Sequence, residues 1–188
     1  MLNKINIASF GGADVLANFY CLYGEVNDEE AKNITEWILS NNYAVAEEQP
    51  ECLNLLINSF GGSLTSAFAI IDLIKGSHIP VRIIGVGQVI SAGLLILMSA
   101  NKGYRILSEN ASIMCHQFSS SSGGSYHTLL ADRVEQDNTQ VRLMKHIKKC
   151  TGLSDKDINE KLMPPSDVWL TAKEAMALGL ADSVSTLK

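Results

Sequence analysis

The feature that most constrains this chain is a pattern that occurs twice in succession: a short apolar run, a glycine-bearing turn, then apolar residues at helical spacing. In the first unit Leu53–Asn58 reads as a buried strand, Gly61-Gly62 stops it, and Leu64, Phe68, Ile71 and Ile74 form one helix face. In the second, Pro80 opens a strand over Val81–Val86, and Gly87 to Gly93 turns the chain into an almost wholly apolar helix that ends at Ala100. Successive strand–helix units require crossover connections, so the sheet is expected to be mostly parallel and the class α/β. Both helices then start at the carboxyl ends of the strands, the edge at which open α/β sheets bind ligands.

Flanking elements are consistent with one domain over residues 1–188, without repeat or linker. Phe19–Tyr23 is a candidate strand, and Asn27 with Glu30 marks the start of a helix carrying Ala31, Ile34 and Ile38. Tyr104–Leu107 and Ser112–His116 read as two further strands, and Ser119–Ser125 as a short flexible tract. A long helix is predicted from His127 to Lys149, with Leu130, Val134, Val141, Met144 and Ile147 on one stripe and Gly152 as its stop. It is longer than a small core needs, so a projecting part is expected to meet another subunit. Ser154/Asp157 and Thr171/Glu174 mark two more helix starts.

Fifteen basic residues against 20 acidic ones give a net charge of −5 with no basic block, which argues against nucleic acid or an anionic membrane as partner. The most apolar stretch, Ile83–Ala100, is broken by Gly85, Gly87, Gln88, Ser91 and Gly93, so no membrane span is expected. Cys21, Cys52, Cys115 and Cys150 are isolated, with no CxxC pair. They fit a reducing, cytoplasmic setting without zinc or other cofactor.

The chemistry is expected at the shared strand edge. Ser91 lies between a predicted strand and helix, where a hydroxyl is either an N-cap or a nucleophile beside unpaired amides. Gly61-Gly62 is either a tight turn or a turn that also aims an amide into the same cleft. Of four histidines, His78 and His146 read as solvated and His127 opens the long helix. His116, at the end of an apolar strand, is the one placed to take a proton from Ser91. An imidazole base needs an acid to orient it, and composition leaves Asp167 and Asp182 as comparable candidates.

Three segments together, Ile57-Asn58-Ser59-Phe60-Gly61-Gly62-Ser63, Gly87-Gln88-Val89-Ile90-Ser91-Ala92-Gly93 and Met114-Cys115-His116-Gln117, resemble the proteolytic subunits of the Clp protease family (ClpP). Tyr23 to Glu29 and Thr171 to Asp182 are similar to its early strand-to-helix segment and its C-terminal helix, so the resemblance covers the chain from about Tyr20 onward. It implies a crotonase-like α/β fold of repeated β-α units with a projecting long helix. It also implies a serine peptidase with Ser91 as nucleophile, His116 as base, Asp167 as third member, and the amides of Gly62 and Ala92 as oxyanion donors. Placing Asp167 requires a small insertion after His116. The resemblance further implies unfolded polypeptide as substrate, seven-membered rings stacked into a tetradecamer, and an AAA+ unfoldase partner. Phe60 and Phe118 stand where the family usually has proline, and Met1–Asn18 diverges from its N-terminal segment. An inactive structural subunit and a crotonase-type acyl-CoA enzyme are the competing readings. A serine–lysine pair with Lys102 is a third, disfavoured because Lys102 lies beyond the apolar helix.

Overall fold

The computed structural model describes residues 18–186, so the divergent N-terminal segment lies outside the described residues except for Asn18. Strand β1 (Phe19–Val26) leads into α1 (Asp28–Asn42), β2 (Leu53–Gly62) into α2 (Leu64–Gly76), and β3 (Val81–Ile90) into α3 (Ala92–Ser99). Then follow β4 (Arg105–Ser108), β5 (Ser112–Cys115), the long α4 (Tyr126–Thr151), α5 (Asp155–Lys161), β6 (Val168–Thr171), α6 (Ala172–Ala177) and β7 (Ser183–Ser185).

The expected sheet forms. Its spine runs β1-β2-β3-β4-β7 with every neighbour parallel, while β5 branches from the end of β3 and carries β6, the single antiparallel pairing. Because helices cover these strands, β2 buries Leu53, Leu55 and Ile57 completely. All eight residues of α3 are buried, so it is a core helix with no polar face.

Both long strands outrun their sequence-based bounds. In β3 the chain passes Gly87 as a bulge: the Gln88 amide donates to Asn58 Oδ1 (3.0 Å), and the β2–β3 register shifts between Ile57 and Ser59. Beyond this point Gln88–Ile90 leaves β4 and pairs with β5. The bulge thus lets one strand serve two neighbours and delivers Ser91 to the edge that β5 occupies.

The predicted stripe on α4 is split by its surroundings. Leu143, His146 and Ile147 are buried near its C-terminal end, whereas Leu130, Val134 and Val141 remain exposed. At 26 residues the helix is about 39 Å long, so most of it extends past the core. Gly152 ends it in the left-handed conformation, as anticipated. No helix among the described residues is long and apolar enough to cross a membrane.

His146 corrects the sequence reading, which placed it in solvent. It is 5% exposed, with Nε2 2.9 Å from the Leu95 carbonyl of α3 and Nδ1 3.0 Å from Lys75 Nζ of α2. The ring donates to the former and accepts from the latter, so it ties three helices together as a neutral imidazole. Burial first, and the positive charge of Lys75 with it, push the ring down to about 4 against the opposing pull of the Leu95 carbonyl. The unfolded chain protonates near the ordinary value of about 6.5, so between these limits it binds more protons than the folded one and stability falls as pH drops. Denaturation in urea is expected to show a loss of about 2 kcal/mol between pH 7 and pH 5 from this group, and His146→Gln should flatten that slope.

Candidate active site

Strand register builds the site. Ile90 of β3 pairs with Met114 of β5, and the Ser91 amide donates to the Met114 carbonyl (3.0 Å). On the other side β5 runs antiparallel to β6 with Cys115 opposite Val168, so His116 and Asp167 are the next facing positions. Three residues remote in sequence therefore meet where β3 and β5 end and β6 begins. His116 Nε2 lies 2.7 Å from Ser91 Oγ, and His116 Nδ1 lies 3.8 Å from Asp167 Oδ1. The first distance is a hydrogen bond; the second is longer than one, and the Asp167 side chain is 56% exposed.

The conformation of Ser91 excludes a side-chain N-cap. Its carbonyl accepts from Leu94 and Leu95, so it does start α3, but its hydroxyl caps no amide and turns to the imidazole instead. It has φ +53°, the only non-glycine residue with positive φ among those described. Such a backbone costs about 1–3 kcal/mol and is held by its surroundings.

The glycine pair is part of those surroundings. A Cβ on Gly61 would lie 2.8 Å from Ser91 Cβ, and one on Gly62 would lie 2.3 Å from the Val26 carbonyl oxygen. The turn is tight, and at Gly61 it also closes on the serine. Gly62 borders an open cleft with Ser91 and His116, while Ala92, fully buried, supplies the first amide of α3.

The two aspartates separate cleanly. The Asp182 carboxylate accepts from the Gly103 amide (2.7 Å), the Arg105 amide (3.1 Å) and the Arg105 guanidinium. Burial raises its pKa, but those bonds and the Arg105 charge outweigh it and hold the carboxyl below its usual range. It is committed elsewhere, which leaves Asp167 beside His116. Lys102 lies with Ala100 and Asn101 in a pocket at the far end of α3, about 12 Å along that helix from Ser91.

The cleft, about 600 Å³, is bordered by Phe60, Leu64 and Phe118 and by Asp132, Glu135, Gln136 and Thr139 of α4. Ser119 to Ser122, which the sequence marks only as a flexible tract, line it too. Nothing in the sequence predicts that α4 crosses this edge. Behind the cleft lies a smaller apolar space of about 40 Å³, reached past Ser91.

The family model described as Clp protease matches residues 15–188. An ATP-dependent Clp protease proteolytic subunit 2 from Corynebacterium glutamicum is 33% identical over 166 residues, 88% of this chain and 80% of the relative. An ATP-dependent Clp protease proteolytic subunit from Leuconostoc citreum is 31% identical over 166 residues, 87% of this chain and 80% of that protein. Among solved structures, a ClpP1 mutant from Listeria monocytogenes superposes with a TM-score of 0.77 at 26% identity, covering 92% of this chain and 93% of its own. The crotonase-like architecture expected from the sequence is therefore the observed one.

Proposed function

The chain belongs to the Clp protease family, whose proteolytic subunits are serine peptidases, and we propose that it cleaves unfolded polypeptides through an acyl-enzyme on Ser91. The observation that carries this reading is the 2.7 Å contact between Ser91 Oγ and His116 Nε2 at a serine held with positive φ. In the proposed reaction Ser91 Oγ attacks the peptide carbonyl while His116 takes its proton. The amides of Gly62 and Ala92 then donate to the tetrahedral oxyanion, a contribution for which loss of one donor typically costs about 2.7–4 kcal/mol. His116 gives the proton to the leaving amine; the same ring then deprotonates a water that attacks the acyl carbon, and passes that proton to Ser91 Oγ as the ester bond breaks. Asp167 orients Nδ1–H and stabilises the imidazolium once the pair closes by under about 1 Å, since such bonds are often long before substrate arrives.

A fluorophosphonate probe tests the nucleophile directly. A covalent adduct located on Ser91 by mass spectrometry is expected, and a protein whose Ser91 stays unmodified would be the inactive structural subunit instead. The third member makes a graded prediction. Asp167→Asn should lower kcat by about 10- to 1000-fold, less than loss of the serine, because an acid acts only through the base and this one is half-exposed. Steady-state cleavage of a short fluorogenic peptide measures it.

Assembly follows the same family reading. Exposed Leu130, Val134 and Val141 on the projecting part of α4 form the apolar surface through which two seven-membered rings would stack into a tetradecamer. Enclosed sites would admit only unfolded chains, fed by a Clp ATPase of the AAA+ class.

A further inference from the structure

One buried hydroxyl sits where the Gly61-Gly62 turn meets the start of α3. The β1–β2 register skips Phe60: Gly24 faces Ser59 and Glu25 faces Gly61, so β2 bulges just before its glycine pair. A bulge interrupts the ladder, and the side chain of Ser59, which is 1% exposed, bridges the gap. Its Oγ donates to the Gly24 carbonyl (2.6 Å) and accepts from the Gly61 amide (3.0 Å).

Ser59 also abuts the other turn. A Cβ on Gly93, the second residue of α3, would lie 3.1 Å from Ser59 Cβ and 3.3 Å from its carbonyl oxygen. Gly61 in turn closes on α3, since a Cβ there would lie 3.1 Å from the Ala92 amide nitrogen. Ser59 therefore packs against the residue before Gly62 and the residue after Ala92.

We propose that Ser59 is a positioning residue for catalysis: its hydroxyl fixes the Gly61-Gly62 turn against the start of α3, so that the amides of Gly62 and Ala92 donate to one oxyanion. The proposal rests on the reading of Ser91 as nucleophile with those two amides as donors. Gly62 borders the cleft, whereas Ser59 lies beneath it and acts only through the backbone it holds. That backbone needs an outside brace. Gly61 has φ +96° and Gly62 φ +144°, and glycine adopts many other conformations as readily. Without the Ser59 oxygen a buried amide and a carbonyl lose their partner, and the turn is free to rotate toward new ones.

Ser59→Ala is expected to lower kcat on a short fluorogenic peptide by about 10- to 100-fold, less than or comparable to outright loss of one oxyanion donor. KM should stay within about twofold of wild type, because these amides engage only as charge develops on the carbonyl oxygen. Rates are taken per Ser91 that accepts the fluorophosphonate at completion, so loss of folded protein does not enter. A peptide aldehyde, whose adduct on Ser91 places its oxygen where the oxyanion forms, should bind more weakly by a similar factor. Ser59→Cys keeps the shape with a weaker donor and acceptor; it should fall between wild type and alanine, and it carries the test should alanine not fold. A kcat within about twofold of wild type overturns the proposal, as does a fall in kcat that leaves aldehyde affinity unchanged. If Ser91 of the wild type takes the fluorophosphonate in either case, only the role of Ser59 has failed. If the wild type takes none and cleaves no peptide, the catalytic reading fails and this proposal with it.

Discussion

Replacing Ser91 with alanine is expected to lower peptide hydrolysis by a factor on the order of 10⁴ to 10⁶ while leaving the assembled mass, read by light scattering, unchanged. The size of the effect follows from what remains. The neighbouring thiol, Cys115, is buried and pushed up to about 12, so it offers no thiolate near neutral pH to take over. Water would have to be activated by His116 without a covalent intermediate, aided only by the proposed oxyanion donors, the amides of Gly62 and Ala92. His116→Ala should cost nearly as much, and the double variant little more, since the two side chains act as one unit across a single hydrogen bond. Turnover surviving in Ser91→Ala would remove the mechanism.

Arg105→Met is expected to destabilise the folded chain by about 3–5 kcal/mol, seen as a shift of the urea midpoint at fixed protein concentration. Arg105 is 6% exposed and donates to Asp182, to the Cys150 carbonyl (2.9 Å) and to the Gly179 carbonyl (2.8 Å). It thereby ties β4 to the end of α4 and to the segment entering β7. Methionine fills much of the volume but takes the guanidinium from the half-buried Asp182, which keeps only the Gly103 and Arg105 amides, and leaves the Cys150 and Gly179 carbonyls without this donor. Adding Asp182→Asn should recover part of the loss; a shift below about 1 kcal/mol in the single variant would contradict this account. The acid sensitivity of this pair lies apart from that of His146. The Asp182 carboxyl is lowered on folding, so its contribution persists above its ordinary range and is lost only as pH falls through the depressed value.

Much of this architecture is legible in local sequence because local physics sets it. Asn27, Ser154 and Thr171 each accept the amide three residues on, as their spacing indicated. Apolar spacing located the paired strands and helices. The strand ends were harder: β2 does stop at the Gly61-Gly62 pair, but Gly87 reads as a turn, whereas β3 runs through it, because a bulge lets a strand continue while changing partners. His146 was misread because the lysines around it suggest solvent, and only packing shows that its face of α4 turns inward.

Sequence alone determined the parallel class, the shared edge and the presence of Ser91 and His116 on it, since periodicity, glycine and cap residues act within a few positions of themselves. Tertiary structure decided which aspartate faces the imidazole, that Ser91 gives its hydroxyl to His116 instead of capping α3, and that α4 walls the cleft. Asp167 and Asp182 are the same side chain in similar local settings; one meets His116 through the β5–β6 register, the other an arginine 77 positions away. Such partners are chosen by pairing and packing across the whole chain, and no short window of residues contains that information.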